Sequence, residues 1–182
     1  AQFKMLDPKP EMTQHGTPYF LAWTTTPWTL SSNTALCVGP KIEYVAVQSF
    51  NPYTGEPATY VCAKALLNAH FNPKAADIAF EDYKPGDKLV PFKVVAEYKG
   101  TDLVGMKYEQ LLPWITPENA DQAFRVIPGD YVTTEDGTGI VHIAPTFGAD
   151  DAKVAKAAGI PPLQLIDKNG NLRPSVDLTG KF

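Results

Sequence analysis

Apolar and polar positions alternate along this chain in short stretches, each cut off by proline, glycine or asparagine, a spacing that predicts strands and not long helices. Residues 18–24, Pro-Tyr-Phe-Leu-Ala-Trp-Thr, form an aromatic and apolar run ending in a β-branched residue, as a largely buried strand does. A short strand is expected over 34–38, stopped by Gly39-Pro40. Over 43–50, Tyr44, Ala46 and Gln48 alternate with Val45, Val47 and Ser49. The turn chemistry of Asn51-Pro52-Tyr53-Thr54-Gly55 makes 59–62 the returning arm of a hairpin. Further strands are expected over 90–98, 122–127, 131–134 and 139–144, with Pro128-Gly129-Asp130 turning the chain between two of them. Lys84-Pro85-Gly86-Asp87 and Lys99-Gly100-Thr101-Asp102 read as turns.

Helix signals are fewer. Residues 63–70 have a short helix's composition and would end at Asn72-Pro73. The clearest helix follows Gly148, with Asp150 and Asp151 in its first turn, Lys153 and Lys156 later and Gly159 at its end. Residues 163–166 and 171–173 enclose Lys168-Asn169-Gly170, a hairpin signal. Many short strands with a few short helices predict an α+β fold with a barrel-like, mostly antiparallel β core and short peripheral helices. No repeat, low-complexity tract or linker divides residues 1–182, which are therefore expected to form a single domain.

Composition narrows the classes. At 182 residues and 44% hydrophobic, the chain can bury a sizeable core, and its 17 prolines and 13 glycines fit many turns. The 16 basic residues against 20 acidic ones leave a net charge of −4, which argues against gripping nucleic acid by phosphate neutralisation alone. A nucleic acid held mainly by something else stays compatible with that charge. No apolar window is long enough for a membrane-spanning helix, so no membrane partner is expected. Residues 1–10 carry Lys4, Asp7 and Lys9 and no apolar core, so they are expected to be an excised boundary and not a targeting peptide. Cys37 and Cys62 have no neighbouring Cys or His at ligand spacing, which suggests neither a zinc site nor a disulfide framework and makes a reduced, cytoplasmic setting the default.

The common catalytic signatures are missing: no phosphate-binding Gly-Lys-Ser/Thr loop, no Gly-x-Gly-x-x-Gly and no nucleophile elbow occur. His15, His70 and His142 are isolated from one another, which argues against a metal hydrolase. Two segments stand out. In Trp23-Thr24-Thr25-Thr26-Pro27-Trp28-Thr29 three successive hydroxyls leave a strand and are fixed by a proline between tryptophans. They could serve only strand-end and turn bonds, or bind an oxygen-rich ligand and hold a water. In Gly137-Thr138-Gly139-Ile140-Val141-His142 through Gly148-Ala149-Asp150-Asp151, a strand with one polar side chain, His142, leads into a helix with two carboxylates in its first turn. A core histidine and helix-dipole complementation account for these residues; a carboxylate aimed at a cationic ligand group is the functional alternative.

At these two segments the sequence resembles the isoleucyl-tRNA synthetases, specifically the editing domain (connective polypeptide 1) inserted into their catalytic domain. The threonine run, continued by Leu30 and Ser32-Asn33-Thr34-Ala35, is similar to that family's editing peptide, and the segment from Gly137 to Asp151 to its second signature. The valyl and leucyl enzymes usually have Thr-Arg-Pro-Glu/Asp-Thr where this chain has Thr26-Pro27-Trp28-Thr29, which favours the isoleucyl family. A third similar stretch runs from Lys99-Gly100-Thr101-Asp102-Leu103-Val104-Gly105-Met106-Lys107-Tyr108 to Trp114, so the resemblance covers nearly the whole chain. Ser31 departs from it, standing where family members often have proline.

The resemblance implies a hydrolase that removes valine misattached to isoleucine tRNA. One methylene separates the two amino acids, worth only about 1–3 kcal/mol in an apolar pocket, a limit for which isoleucyl-tRNA synthetase is itself the established example. It implies catalytic positions at Thr24, Thr25, Thr26 and Asp151, and substrate contacts from Trp28, His142 and Asp151. Asp151 would bind the α-ammonium, the threonines would contact the ester and terminal adenosine, Trp28 would pack beside them, and His142 would form the wall that isoleucine strikes. No protein nucleophile is implied, since orienting an already reactive ester and a water can supply much of the acceleration. The aminoacylation signatures His-Ile-Gly-His and Lys-Met-Ser-Lys-Ser are absent, so no cofactor is expected here, ATP and any zinc belonging to the rest of the synthetase. The implied partners are the 3′ end of aminoacylated isoleucine tRNA and the parent's catalytic domain. Two alternatives remain open: a module that binds the aminoacyl end without hydrolysis, and a free-standing deacylase.

Overall fold

The computed structural model describes residues 1–165 and 169–171. Among the described residues, eight strands appear in chain order: β1 (Gln2–Lys4), β2 (Thr17–Leu21), β3 (Ala35–Val38), β4 (Glu43–Phe50), β5 (Pro57–Ala63), β6 (Lys93–Lys99), β7 (Arg125–Pro128) and β8 (Ile140–Ile143). The same residues form three α-helices: α1 (Leu67–His70), α2 (Gly100–Leu103) and α3 (Ala149–Ala157). The strands form a five-stranded sheet in the order β1-β2-β5-β4-β6 and a three-stranded sheet in the order β7-β3-β8. Pairing is antiparallel except between β2 and β5 and between β3 and β7. The α+β class and the mostly antiparallel core are as expected, while the barrel-like core takes the form of two open sheets.

Why the sheets pack in this way is visible in β4. Tyr44 and Ala46 join one apolar cluster, with Phe3, Phe20, Leu36 and Tyr108, while Val45 and Val47 join a second with Tyr60, Cys62 and Phe71. β5 splits likewise, Val61 and Ala63 against Tyr60 and Cys62. In β3, Leu36 and Val38 meet the first cluster and Ala35 and Cys37 a third, with Ile127, Ile143 and Ala155. The first cluster therefore lies between the sheets, and the other two cover their outer faces. Each fully buried Leu, Ile, Val or Phe in these layers contributes about 1.5–3 kcal/mol by leaving water. Strands covered on both faces read as near-continuous apolar runs, as 35–38 and 58–63 do.

The hairpin joining β4 and β5 turns where expected, with Gly55 at φ +73°. Residues 64–70 make a 3-10 turn followed by α1, and the Asn72 side chain accepts from the Lys74 amide as the chain leaves it. The turn expected at 99–102 closes into α2, where the Asp102 carboxylate accepts the Lys99 N–H at 2.8 Å. β1 pairs with β2 although its three residues carry too little pattern to be read as a strand. The strand expected over 131–134 does not form. Both edges of β3 are already taken by β7 and β8, so the chain after Gly129 turns away, with Tyr131 47% exposed and only Val132 buried in that stretch. The hairpin expected around Lys168-Asn169-Gly170 falls partly on residues outside those described. No described helix is long and apolar enough to cross a membrane.

α3 forms as its capping and charge pattern predicts, ending at Gly159 with φ +70°. Ala155 and Ile160 seat it on the second sheet. Arg125 of β7 donates to the Ala158 carbonyl at 2.8 Å, placing a cation at the negative end of the helix.

Candidate active site at the seam between the sheets

Three parts of the chain converge where the two sheets meet. The first is the crossover from β2 to β3. Ala22 is buried, Trp23 forms a parallel bridge to Val141 of β8, and residues 24–26 lead into a 3-10 turn, Pro27–Ser32. Proline at the turn's first position suits its fixed φ and spares a donor. The second part is β8, which lies antiparallel to β3 with His142 opposite Leu36. The third is the tight turn over 144–147, closed by a Phe147 N–H to Ala144 carbonyl bond of 2.9 Å, which delivers the first turn of α3.

Hydrogen bonds lock these parts together. The Thr29 hydroxyl lies 2.9 Å from His142 Nε2 and donates to the Thr26 carbonyl at 2.8 Å. Thr26 Oγ1 is 3.3 Å from Thr29 Oγ1 and 3.4 Å from Thr24 Oγ1, and the Thr26 N–H donates to Thr24 Oγ1 at 3.0 Å. Asp151 Oδ2 accepts the Ala144 N–H at 2.9 Å, so the helix carboxylate reaches back to the end of β8. His142 is 7% exposed; burial pushes its pKa below the ordinary histidine value, and the Asp151 carboxylate opposes this in part. Burial therefore favours the neutral imidazole.

β8 is pinned from behind. The Tyr44 hydroxyl, whose pKa burial pushes up to about 12, donates to the Gly139 carbonyl at 2.6 Å and accepts the Gly39 N–H at 2.9 Å. Gly139 has φ +72°, and a Cβ added there would lie 2.4 Å from the Ala63 Cβ. Gly139→Ala is therefore expected to cost about 2 kcal/mol or more, through left-handed backbone strain and a clash with β5. Urea unfolding would measure it, and a loss below about 0.5 kcal/mol would show that the strand start has room to shift.

The resulting cleft has a volume of about 430 Å³, within the usual range for small-molecule sites. Thr24, Thr25, Thr26, His142 and Asp151 all line it. Trp28 does not: it is 66% exposed, and the tryptophan on the cleft is Trp23. Thr29, Asp136 and Phe147 also line it and were not singled out from sequence. Thr29 could have been found from its place three residues after Thr26 in a proline-led turn. Asp136 reads in sequence as half of an ordinary solvated acidic pair. A larger hollow of about 830 Å³ shares Phe147 with the cleft, but its lining among the described residues is mostly apolar and holds neither histidine nor carboxylate. Among the described residues, no three His, Cys, Asp or Glu side chains are placed to hold a metal ion.

No protein-family model matches the chain. Among solved structures it is similar to the P. knowlesi cytosolic leucyl-tRNA synthetase editing domain, with a TM-score of 0.58 at 16% identity, covering 83% of this chain and 59% of that one. It is also similar to GlLeuRS-CP1, with a TM-score of 0.56 at 18% identity, covering 97% of this chain and 68% of that one. The fold is thus that of aminoacyl-tRNA synthetase editing domains. Among curated proteins the chain is 81% identical over 182 residues to isoleucine–tRNA ligase of Bacteroides fragilis and 64% identical over 183 residues to that of Porphyromonas gingivalis, covering all of this chain and 16% of either relative. At 41% identity over 159 residues, the isoleucine–tRNA ligase of Clostridium tetani matches 87% of the chain. This chain belongs to the isoleucine–tRNA ligase family, as a segment spanning 16% of the length of its first relatives.

Proposed function

We propose that this segment performs post-transfer editing for its parent synthetase, hydrolysing the ester of valine misattached to isoleucine tRNA and excluding isoleucine by size. One observation carries the proposal: the threonine run, His142 and Asp151, far apart in sequence, meet on one cleft. Asp151 has one carboxylate oxygen held by the Ala144 amide, and its other oxygen serves the α-ammonium of the amino acid. The threonines contact the ester and the terminal ribose. His142, buried and fixed by Thr29, is the wall that the extra methylene of isoleucine would strike. Trp23 and Phe147, about half exposed at 52% and 50%, offer flat surfaces to the terminal adenine.

In the reaction a water oxygen bonds to the ester carbon and the ester C–O bond breaks. The water's proton ends on the departing ribose oxygen, leaving free valine and an intact tRNA end. The ester is activated by its own chemistry, so the chain's task is to orient ester and water, with no cofactor in this segment. The net charge of −4 fits a unit that receives only the terminal nucleotides while the rest of the synthetase holds the tRNA body. The test is ester loss from valyl- and isoleucyl-tRNA specific for isoleucine, measured with this chain and with the full-length parent. Selective loss of the valyl ester is expected, and equal loss of both esters, or of neither in the parent, would overturn the proposal.

A further inference from the structure

The contacts around the threonine cluster favour one order of hydroxyl protons, and they centre on one residue. Thr29 Oγ1 has one proton and three neighbours: the Thr26 carbonyl at 2.8 Å, His142 Nε2 at 2.9 Å and Thr26 Oγ1 at 3.3 Å. The carbonyl can only accept, so when the Thr29 proton goes there, His142 Nε2 and the Thr26 hydroxyl must both donate to Thr29 Oγ1. All three contacts are then hydrogen bonds. If Thr29 instead donates its proton to His142 Nε2, the bond to the carbonyl is lost, Nε2 is the acceptor and the neutral imidazole must carry its hydrogen on Nδ1. That atom is buried and has no hydrogen-bond partner among the described residues. An orphaned buried N–H is the costlier defect, whereas an orphaned ring lone pair is better tolerated.

The order propagates outward. The Thr26 proton is committed to Thr29, so Thr26 Oγ1 can only accept from Thr24, whose oxygen also accepts the Thr26 N–H. Both threonines line the cleft, and both meet it as acceptors. Thr25 lines the same cleft, and among the described residues its hydroxyl has no hydrogen bond, so its proton is uncommitted.

We propose that Thr29 is a positioning residue: its hydroxyl, and not its bulk, fixes His142 as the neutral Nε2–H tautomer and turns the protons of Thr24 and Thr26 away from the cleft. Resting on the editing function proposed above, this assigns two roles. Thr24 and Thr26 hold the attacking water by accepting its hydrogens, which leaves a water lone pair free for the ester carbon. The fixed imidazole presents one edge to the substrate side chain, so the sieve has a single setting.

The test uses two substitutions with opposite chemistry. Thr29→Val keeps the shape and removes the hydroxyl, and Thr29→Ser keeps the hydroxyl and removes the methyl. Long-range proton–nitrogen NMR of the histidines in this chain reports which ring nitrogen of His142 carries the proton. Nε2–H is expected in the parent and in Thr29→Ser, with loss of that single form in Thr29→Val. In the full-length synthetase the ratio of kcat/KM for the valyl over the isoleucyl ester is expected to fall roughly fivefold in Thr29→Val, as for one neutral hydrogen bond, and to stay near the parent value in Thr29→Ser. An Nδ1–H parent overturns the proposal, as does a ratio lost in Thr29→Ser and kept in Thr29→Val. The parent spectrum decides the tautomer even if Thr29→Val fails to fold. If the parent hydrolyses neither ester while the tautomer depends on the hydroxyl as stated, the editing function fails and the positioning role of Thr29 stands.

Discussion

Asp151→Asn is expected to fold like the parent and to lose at least about tenfold in deacylation of valyl-tRNA, because a hydrogen bond to a charged group is worth about 1.5–3 kcal/mol. The asparagine side-chain oxygen can still accept the Ala144 N–H that Asp151 Oδ2 accepts at 2.9 Å, so the seam between β8 and α3 survives. Its amide group, however, offers donors where the α-ammonium needs an acceptor. Asp151→Ala tests the same role less cleanly. It should abolish deacylation, but it also leaves the Ala144 amide without its partner and removes an acid from the first turn of α3, at a stability cost of about 1–2 kcal/mol. Asp150→Asn is the control, since Asp150 is exposed and does not line the cleft. Thermal unfolding beside the deacylation assay separates the two effects. Parent-like turnover of valyl-tRNA by Asp151→Asn would remove the carboxylate from the substrate-anchoring role.

His142→Ala should open the sieve. The imidazole is buried, held by Thr29 and set on a strand pinned from behind by Tyr44, so it cannot swing aside for a larger side chain. Removing it leaves a void next to the proposed amino-acid position, and isoleucyl-tRNA, which the proposed function spares in the parent, is expected to be hydrolysed. The gain should be roughly tenfold to two-hundredfold, the range that one methylene commands in a shaped pocket. Valyl-tRNA turnover should change less, because Asp151 and the threonines remain. The assay is loss of isoleucine from isoleucine tRNA by parent and variant at equal concentration. If isoleucyl-tRNA stays as well protected in the variant as in the parent, some other group is the wall.

Much of the fold was legible because its strands carry a local signal. The strand over 43–50 was readable to the residue, since alternation and a turn at Asn51 bound it locally. β1 was not, because three residues show no period and become a strand only by pairing with β2. The expected strand over 131–134 failed for the converse reason: its composition suits a strand, but it finds no pairing partner, since β3 beside it is already flanked by β7 and β8.

Site residues divide along the same line. The threonine run, His142 and Asp151 were legible through their sequence signatures. Which tryptophan lines the cleft was not, because that depends on the bridge between Trp23 and Val141, formed in three dimensions. Thr29 is marked locally only as a turn residue three positions after Thr26; its bond to His142, 113 residues away, has no local signal.

The placement of the site on the crossover from β2 to β3 bears on when, during synthesis, the chain can first act. Thr24–Thr26 contacts form locally, but Thr29 meets His142 only after the second sheet has docked on the first and β8 has emerged and paired with β3. Contacts so distant along the chain form late, because loop-closure entropy must be overcome before they are rewarded. A nascent or partly folded copy therefore displays its threonines without the His142 wall, and without Asp151 held at the end of β8 it lacks the anchor too. On the editing function proposed above, hydrolytic competence and the ability to spare isoleucine are therefore expected to arrive in one assembly event, with no folding stage at which an indiscriminate esterase strips correctly charged tRNA.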